Sequence, residues 1–420
     1  MQKMRKMKDS GIEWIGEIPE GWEVLAHKYI MHKEKSICEH YSGEDVISLT
    51  LNGVVKRDLE NPSGKMPTTF DGYQFVDPND LLLCLFDIDV TPRCVGLVKD
   101  YGVTSPAYSR FKIHSGFCNA YYNYLLRFID DEKVFVHLSK NLRSSLTESD
   151  FGAIKTIVPP KAEQQRIADY LDNRTFEIDT LLSKARSSIE EYKKLKQAVI
   201  TQAVTKGVRG ERKMKDSGVE WIGEIPADWT IQRFARVAEV KSNLVSPDNY
   251  LEYPQISPEN IEKDSGKLLL PCKTVAEVGV ISGNHLFYKG QILYSKIRPK
   301  LNKVCIAPFD GLCSADMYPI ETNNDTRYIM YCILSNGFLQ QVSMITENRV
   351  KMPKINQVEL SKILVAIPET IAEQKKIADY LDAKCTEIDG LIAKKEQLVK
   401  ELESYKKSLI YEVVTGKREV

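Results

Sequence analysis

The sequence predicts an α+β protein: two pseudo-symmetric, β-rich globular domains separated by two long helices that pair as an antiparallel coiled coil. Three observations carry this reading. A fourteen-residue segment recurs 207 residues later, and an eleven-residue segment recurs 210 residues later. Both copies of the second segment open a proline-free amphipathic stretch.

The first recurrence is Lys6-Met-Lys-Asp-Ser-Gly-Ile-Glu-Trp-Ile-Gly-Glu-Ile-Pro19, which returns as 213–226 with Val219 in place of Ile12 as its one difference. The second is Ala162-Glu-Gln-Gln-Arg-Ile-Ala-Asp-Tyr-Leu-Asp172, which returns as Ala372-Glu-Gln-Lys-Lys-Ile-Ala-Asp-Tyr-Leu-Asp382. Matches of this length in the same order mean a tandem duplication of about 210 residues. The expected boundaries are a globular part at 1–160 with its helix at 161–206, then a globular part at 207–370 with its helix at 371–420.

The globular parts are rich in Gly, Pro, aromatic and β-branched residues. Leu81-Leu-Leu-Cys-Leu-Phe86 and Gln291-Ile-Leu-Tyr294 read as strands between turn signals such as Asp71-Gly72 and Phe309-Asp-Gly311. Pro159-Pro160 and Pro368 punctuate the entry to each helix.

The helical parts carry apolar residues at 4-3 spacing. In the first, Ile178, Leu182, Ala185, Ile189, Tyr192, Val199 and Ala203 form the series, interrupted at Lys196. In the second, Leu391, Leu398, Leu402, Tyr405 and Leu409 do so, interrupted at Lys395. Some 40 residues at 1.5 Å each make a rod of roughly 60 Å. A rod with one apolar stripe needs a partner, and the other copy is the obvious one. The alternative is that each helix packs on its own globular domain. Tyr170, Tyr192, Tyr380 and Tyr405 are read as residues of the helix seam, and Trp14, Trp22, Trp221 and Trp229 as packing residues of the duplicated frame.

Composition narrows the function. Lys and Arg total 58, Asp and Glu total 58, and the mean hydropathy is −0.30. That balance excludes a uniformly basic coat for nucleic acid, though not a local basic patch. No apolar run approaches the roughly 20 residues of a membrane span, and the basic start lacks the apolar stretch of a secretory signal. Nine cysteines, an odd number without CxxC spacing, disfavour a zinc site and a disulfide framework. Reduced thiols and a cytoplasmic location are the expectation. The six histidines show no metal spacing, and no phosphate-binding G-x-x-x-x-G-K-[ST] occurs.

The two globular parts share ends but differ in the middle, as two readers of similar build and different target would. Phosphates call for Lys, Arg, Ser and Asn, and base edges for Arg, Lys, Asn, Gln and Ser. On that chemistry the candidate DNA-binding residues of the first part are Lys56, Arg57, Arg93, Ser105, Tyr108 and Arg110. Those of the second are Tyr294, Ser295, Lys296, Arg298, Lys300, Asn302 and Lys303, with Ser314, Arg349, Lys351 and Lys354. The 294–303 segment holds four basic residues and no acid; a solvated basic loop is the plainer reading of it alone.

The Lys-Asp-Ser-Gly-(Ile/Val)-Glu-Trp-Ile-Gly-Glu-Ile-Pro openings resemble those of the specificity subunits of type I restriction–modification enzymes. So do Trp22 and Trp229, the Ala-Glu-Gln entries, Ile292-Leu-Tyr-Ser-Lys-Ile-Arg-Pro299, Phe309-Asp-Gly311 and Met352-Pro-Lys-Ile-Asn356. The resemblance runs over essentially the whole chain. It implies two target-recognition domains reading the halves of a split sequence in double-stranded DNA, and helices that set the spacing between them. It further implies docking of two methyltransferase subunits, joined by restriction–translocation subunits. S-adenosylmethionine, ATP and Mg would then belong to those partners, and this chain would hold no cofactor or metal and catalyse nothing. The sequence agrees: the only Pro-Pro is Val158-Pro-Pro-Lys161, which lacks the Asn/Asp-Pro-Pro-aromatic signature of adenine methyltransferases.

Two rivals come from other classes. Asp228 with Glu239-Val-Lys241 has a spacing usable by a metal-dependent nuclease, but the corresponding residues of the first copy are His32 and Glu34. A coiled-coil scaffold would need only the helices and would leave the basic strip without purpose.

Overall fold

The computed structural model describes residues 5–51, 53–62, 66–139, 144–349 and 351–420; the first four residues of the basic start, and Val350, lie outside them. The chain divides into two compact units, Met1–Ala185 with Leu398–Val420, and Arg186–Gln397.

The first unit opens on a hairpin, Met7–Asp9 paired with Glu17–Pro19. Its turn chemistry explains the repeated motif. The Asp9 carboxylate accepts from the Gly11 amide at 2.9 Å, and Gly11 and Gly16 adopt φ of 66° and 72°, where a side chain is strained. Ile12, Ile15, Ile18 and Trp22 are driven inward. Strand Glu23–Ala26 then pairs with Lys155–Val158, which leads into the first long helix, Lys161–Lys206. Between them lie a four-stranded antiparallel sheet, in the order Val95–Leu97, Leu81–Leu83, Ser109–Ile113, Met31–Lys33, and a five-stranded mixed sheet. In the latter, Gly102–Thr104 runs parallel to Val46–Thr50.

The second unit repeats the plan. Hairpin Met214–Asp216 with Glu224–Pro226 has the register of the first, shifted by 207. Thr230–Arg233 pairs with Leu364–Ile367 ahead of the second long helix, Ile371–Val414. A four-stranded sheet runs Glu239–Val240, Met317–Glu321, Ile292–Ser295, Val304–Ile306, and a second sheet again has one parallel pair, Gln255–Ile256 with Gly311–Cys313.

The eleven-residue motif is a docking device that fixes each long helix to the lobe preceding it. Glu163 accepts from Trp22 Nε1 at 3.0 Å and pairs with Arg5; Glu373 pairs with Arg212 at 2.6 Å. Gln164 accepts from the Cys118 amide at 2.8 Å and donates to Pro159 O, and Gln374 accepts from the Asp325 amide at 2.9 Å. Asp172 accepts from Tyr124 and Asp382 from Tyr331, each at 2.7 Å. Ile167, Ala168 and Leu171, like Ile377, Ala378 and Leu381, are buried on one helix face.

The first unit's core also contains Leu409, Ile410, Val413 and Val414 from the end of the second long helix, and Tyr121 donates to Val414 O at 2.9 Å. The second unit's core holds Ile200, Ala203 and Val204 from the end of the first helix together with Ile377, Leu381 and Cys385. Each unit therefore joins the start of one long helix to the end of the other, an antiparallel pairing. Both readings of the helices hold together: their first turns pack on their own lobe, and they also pair.

The seam differs from the expected one in the second helix. Ile178, Leu182, Ala185, Ile189 and Ala203 are buried, with Tyr192, Val199, Leu391 and Leu402 half-buried and Leu409 buried. Leu398, Tyr405 and Tyr380 instead face outward, at 40%, 49% and 39% exposure. The protected stripe runs through Ile388, Ile392, Lys395, Val399, Leu402, Lys406, Leu409 and Val413. Reading only apolar residues as seam members displaced the register, because lysine stems also cover apolar surface. The same holds for Lys196 in the first helix, which is 7% exposed.

Candidate nucleic-acid interface

In the second unit, Ile292–Ser295 lies inside its sheet, flanked by Met317–Glu321 and Val304–Ile306, so the chain leaving it is rigidly held. The loop 296–303 bends through two left-handed residues, Arg298 at φ 44° and Asn302 at φ 43°, on either side of the single turn Pro299–Leu301. Non-glycine residues hold that conformation only when their surroundings enforce it. Here the Ser295 hydroxyl donates to Ile297 O at 3.0 Å, the Arg298 amide to Pro353 O at 2.8 Å, and the Ile355 amide to Lys296 O at 2.9 Å. Asn302 is fully buried and donates to Leu334 O. The loop is thus sewn to the 351–355 segment, and the two present one basic edge.

On that edge Arg298, Lys300 and Lys351 are exposed, and their side chains make no hydrogen bond or ion pair among the described residues. Lys354 is exposed but paired with Asp316 at 3.0 Å. Arg349 is committed to Glu359 and to Lys354 O. The Lys296 ammonium sits 5.3 Å over the Tyr318 ring, and Lys303 donates to Pro258 O at 2.7 Å. Ser314 is half-buried and accepts from the Asp316 amide. Tyr294, Ser295 and Asn302 are core residues of this loop rather than DNA-facing ones, because the strand turns them inward. Burial raises the Tyr294 phenol far above its ordinary range.

The first unit's sequence-predicted set is mostly occupied internally. Arg110 is 2% exposed, with Nε on Asp80 at 2.5 Å, one terminal nitrogen on Asp77 at 2.6 Å and the other on Phe75 O at 3.0 Å. It is a core cation, and a guanidinium so engaged has no face left for DNA. Arg93 is largely buried against Asp131 at 2.9 Å. Lys56 is exposed but paired with Asp45 at 2.6 Å, and Arg57 is half-buried. Ser105 accepts from the Ala107 amide and Tyr108 packs half-buried on the core. The basic residues of this unit therefore do not converge as those of the second do.

What sequence reasoning missed is the loop that corresponds to 296–303. Leu81–Leu83 occupies the same place in its sheet as Ile292–Ser295. Beyond it, the Cys84 thiol donates to Phe86 O at 3.5 Å, as Ser295 does to Ile297 O, and the Leu146 amide donates to Leu85 O at 2.8 Å, as Ile355 does to Lys296 O. Asp87 has φ 46° where Arg298 has 44°. A reading guided by cations passes over this loop, which carries exposed Asp87 and Asp89. The signal available in the sequence was the alignment of the two loops, not their charge.

The nuclease constellation does not assemble. Asp228 is bidentate to Arg212 at 2.6 Å, Glu239 pairs with Lys241 at 2.7 Å, and no cluster of three metal-ligating side chains occurs among the described residues.

The family model of the type I restriction modification DNA specificity domain matches residues 226–401. The chain is 33% identical over 278 residues to the EcoDI specificity subunit of Escherichia coli, covering 61% of this chain and 62% of that one. It is 26% identical over 311 residues to the putative MjaX specificity subunit of Methanocaldococcus jannaschii, covering 71% and 67%. The matches thus span about three-fifths to two-thirds of the relatives' length. In fold, it is similar at TM-score 0.69 and 13% identity to a chain solved in a study of complex assembly and conformational transition of the type I R-M system, over 96% of this chain and 99% of that one. It is similar at TM-score 0.50 and 14% identity to the HsdS subunit from Thermoanaerobacter tengcongensis, over 96% and 98%. With its duplicated frame and its two lobes of matched topology, the chain is similar to type I restriction–modification specificity subunits, and its residues 226–401 match the specificity domain of that family.

Proposed function

We propose that this chain reads a two-part target in double-stranded DNA, one part per lobe, and directs adenine-methyltransferase and restriction subunits to it without itself catalysing a reaction. The observation that carries this is the 296–303 loop: a strained, tied backbone that holds Arg298 and Lys300, unpaired among the described residues, outward beside Lys351 in one of two lobes of the same build. A loop of that kind gives a fixed position to donors for phosphate oxygens and base acceptors without losing order on binding. The net charge of zero fits a subunit that contributes base contacts while its partners supply much of the phosphate neutralisation.

S-adenosylmethionine, ATP and Mg are assigned to the partners. The duplicated helix entries favour two equivalent methyltransferase subunits, one for each copy. The long helices are assigned the spacing between the two target halves. The test is a genome-wide map of methylated adenine with and without this gene. One split motif should vanish on deletion; an unchanged map would refute the reading.

A further inference from the structure

The two corresponding loops have the same backbone construction and opposite charge at the tip, and we propose that Asp87 and Arg298 are the paired specificity-determining residues of the two lobes. Asp87 would accept from a base amino group in one half-site, and Arg298 would donate to a base acceptor in the other. The inference rests on the DNA-reading function proposed above and adds the residues and the base chemistry.

The correspondence is geometric. Both tips follow the internal strand of a four-stranded antiparallel sheet, both are closed by a side chain donating to the carbonyl two residues on, and both take a backbone amide from a later segment. Both then place a non-glycine residue in the left-handed region, Asp87 and Arg298. Each exposed tip side chain makes no hydrogen bond or ion pair among the described residues.

The chemistry at these equivalent positions differs. A carboxylate can only accept, and in the major groove the available donors are the cytosine N4 and adenine N6 amino groups. A guanidinium can only donate, and its best-matched acceptors are guanine O6 and N7. Each tip also repels what the other attracts, since a carboxylate against a base acceptor leaves both without a donor. The first tip is flanked by Phe86 and Val90, 40% and 73% exposed, which offers apolar contact of the kind a thymine methyl accepts. Exposed apolar side chains on both sides of a carboxylate that is unpaired among the described residues fit a surface covered in the complex better than one bathed in water.

The test uses the full chain assembled with its cognate methyltransferase subunit and a DNA duplex library randomised in both half-sites. The variants are Asp87→Asn and Arg298→Asn, because Asn tolerates the left-handed backbone and keeps the loop. Asp87→Asn should change base preference about fivefold or more at one position of one half-site, and Arg298→Asn should do so at one position of the other. The wild-type preference should include a C or A opposite Asp87 and a G opposite Arg298. Variants that retain every wild-type preference, or lose affinity evenly over all sequences, would overturn the assignment while leaving the proposed function intact. A wild-type assembly that selects no two-part sequence would overturn both.

Discussion

Lys196 donates to both carboxylate oxygens of Asp389, at 2.8 and 3.0 Å, from a seam position that is only 7% exposed. The residue that interrupts the apolar series of the first helix is thus a partnered member of the seam. Lys267 reaches the same carboxylate at 2.7 Å. Burial works to raise the Asp389 pKa, and the hydrogen bonds and charges of the two lysines outweigh it and hold the group below its ordinary range.

Removing the carboxylate should therefore cost more than removing the cation. Asp389→Ala leaves Lys196 buried without a counter-ion and should lower stability by about 2–3 kcal/mol. Lys196→Met, which keeps the stem and leaves Lys267 on Asp389, should change it by less than about 1 kcal/mol. Because the folded-state pKa is depressed, this contribution is present above the ordinary aspartate pKa of about 4 and is lost as pH falls through the lower folded value. Urea unfolding of both variants checks the order; equal losses would remove the pair from the seam's stability.

His27 gives the first unit a second acid sensitivity, at higher pH. It is fully buried, Nδ1 donates to Phe151 O at 3.2 Å, and burial lowers its pKa to about 4 despite that bond. The folded state thus binds fewer protons than the unfolded one between pH 6.5 and 4. Stability should be full above pH 6.5 and fall by on the order of 3 kcal/mol as pH drops through that window. Phe234 fills the corresponding position of the second unit. His27→Phe should flatten the pH dependence of thermal unfolding over this range; an unaltered slope would assign it to other groups.

Lys300, Lys351 and Arg110 should separate contact from core. Lys300→Ala and Lys351→Ala should each weaken binding of the assembled complex evenly across sequences and reduce the slope of log affinity against log salt by about 1, as phosphate contacts do. Arg110→Ala removes the cation from Asp80, itself 3% exposed, and should cost about 3–5 kcal/mol of stability. Fluorescence anisotropy over a salt series and thermal unfolding read the two effects. Unchanged affinity for both lysine variants would take the basic edge out of the interface.

Insertions within 185–195 of the first long helix should alter the spacer of the methylated motif and leave the letters of its halves unchanged. If the helices set the spacing as proposed, two readers on one duplex face would sit about one helical turn apart, roughly 34–36 Å, and a change in rod length would change that spacing. Methylated-adenine mapping in cells carrying the insertion gives the answer directly. Changed letters at a constant spacer would mean that the helices do not measure distance.

The duplication, the alternation of β-rich lobes and long helices, and the basic character of 294–303 are legible before folding, because each is written in local pattern. A repeated Asp-Ser-Gly turn with inward Ile and Trp, or an apolar series at 4-3 spacing, needs no distant contact to be read. Tertiary structure alone decided which members of those patterns face out. Lys196 became a seam residue because the Asp389 carboxylate, which also pairs with Lys267, meets it. Leu398 and Tyr405 left the seam because the protected stripe passes beside them. Arg110 left the candidate interface because Asp77, Asp80 and Phe75, all distant in the chain, converge on its guanidinium. Asp87 entered it because its loop is built like that of Arg298. A charge's role depends on its partners and on the water left around it, and both are properties of the folded chain.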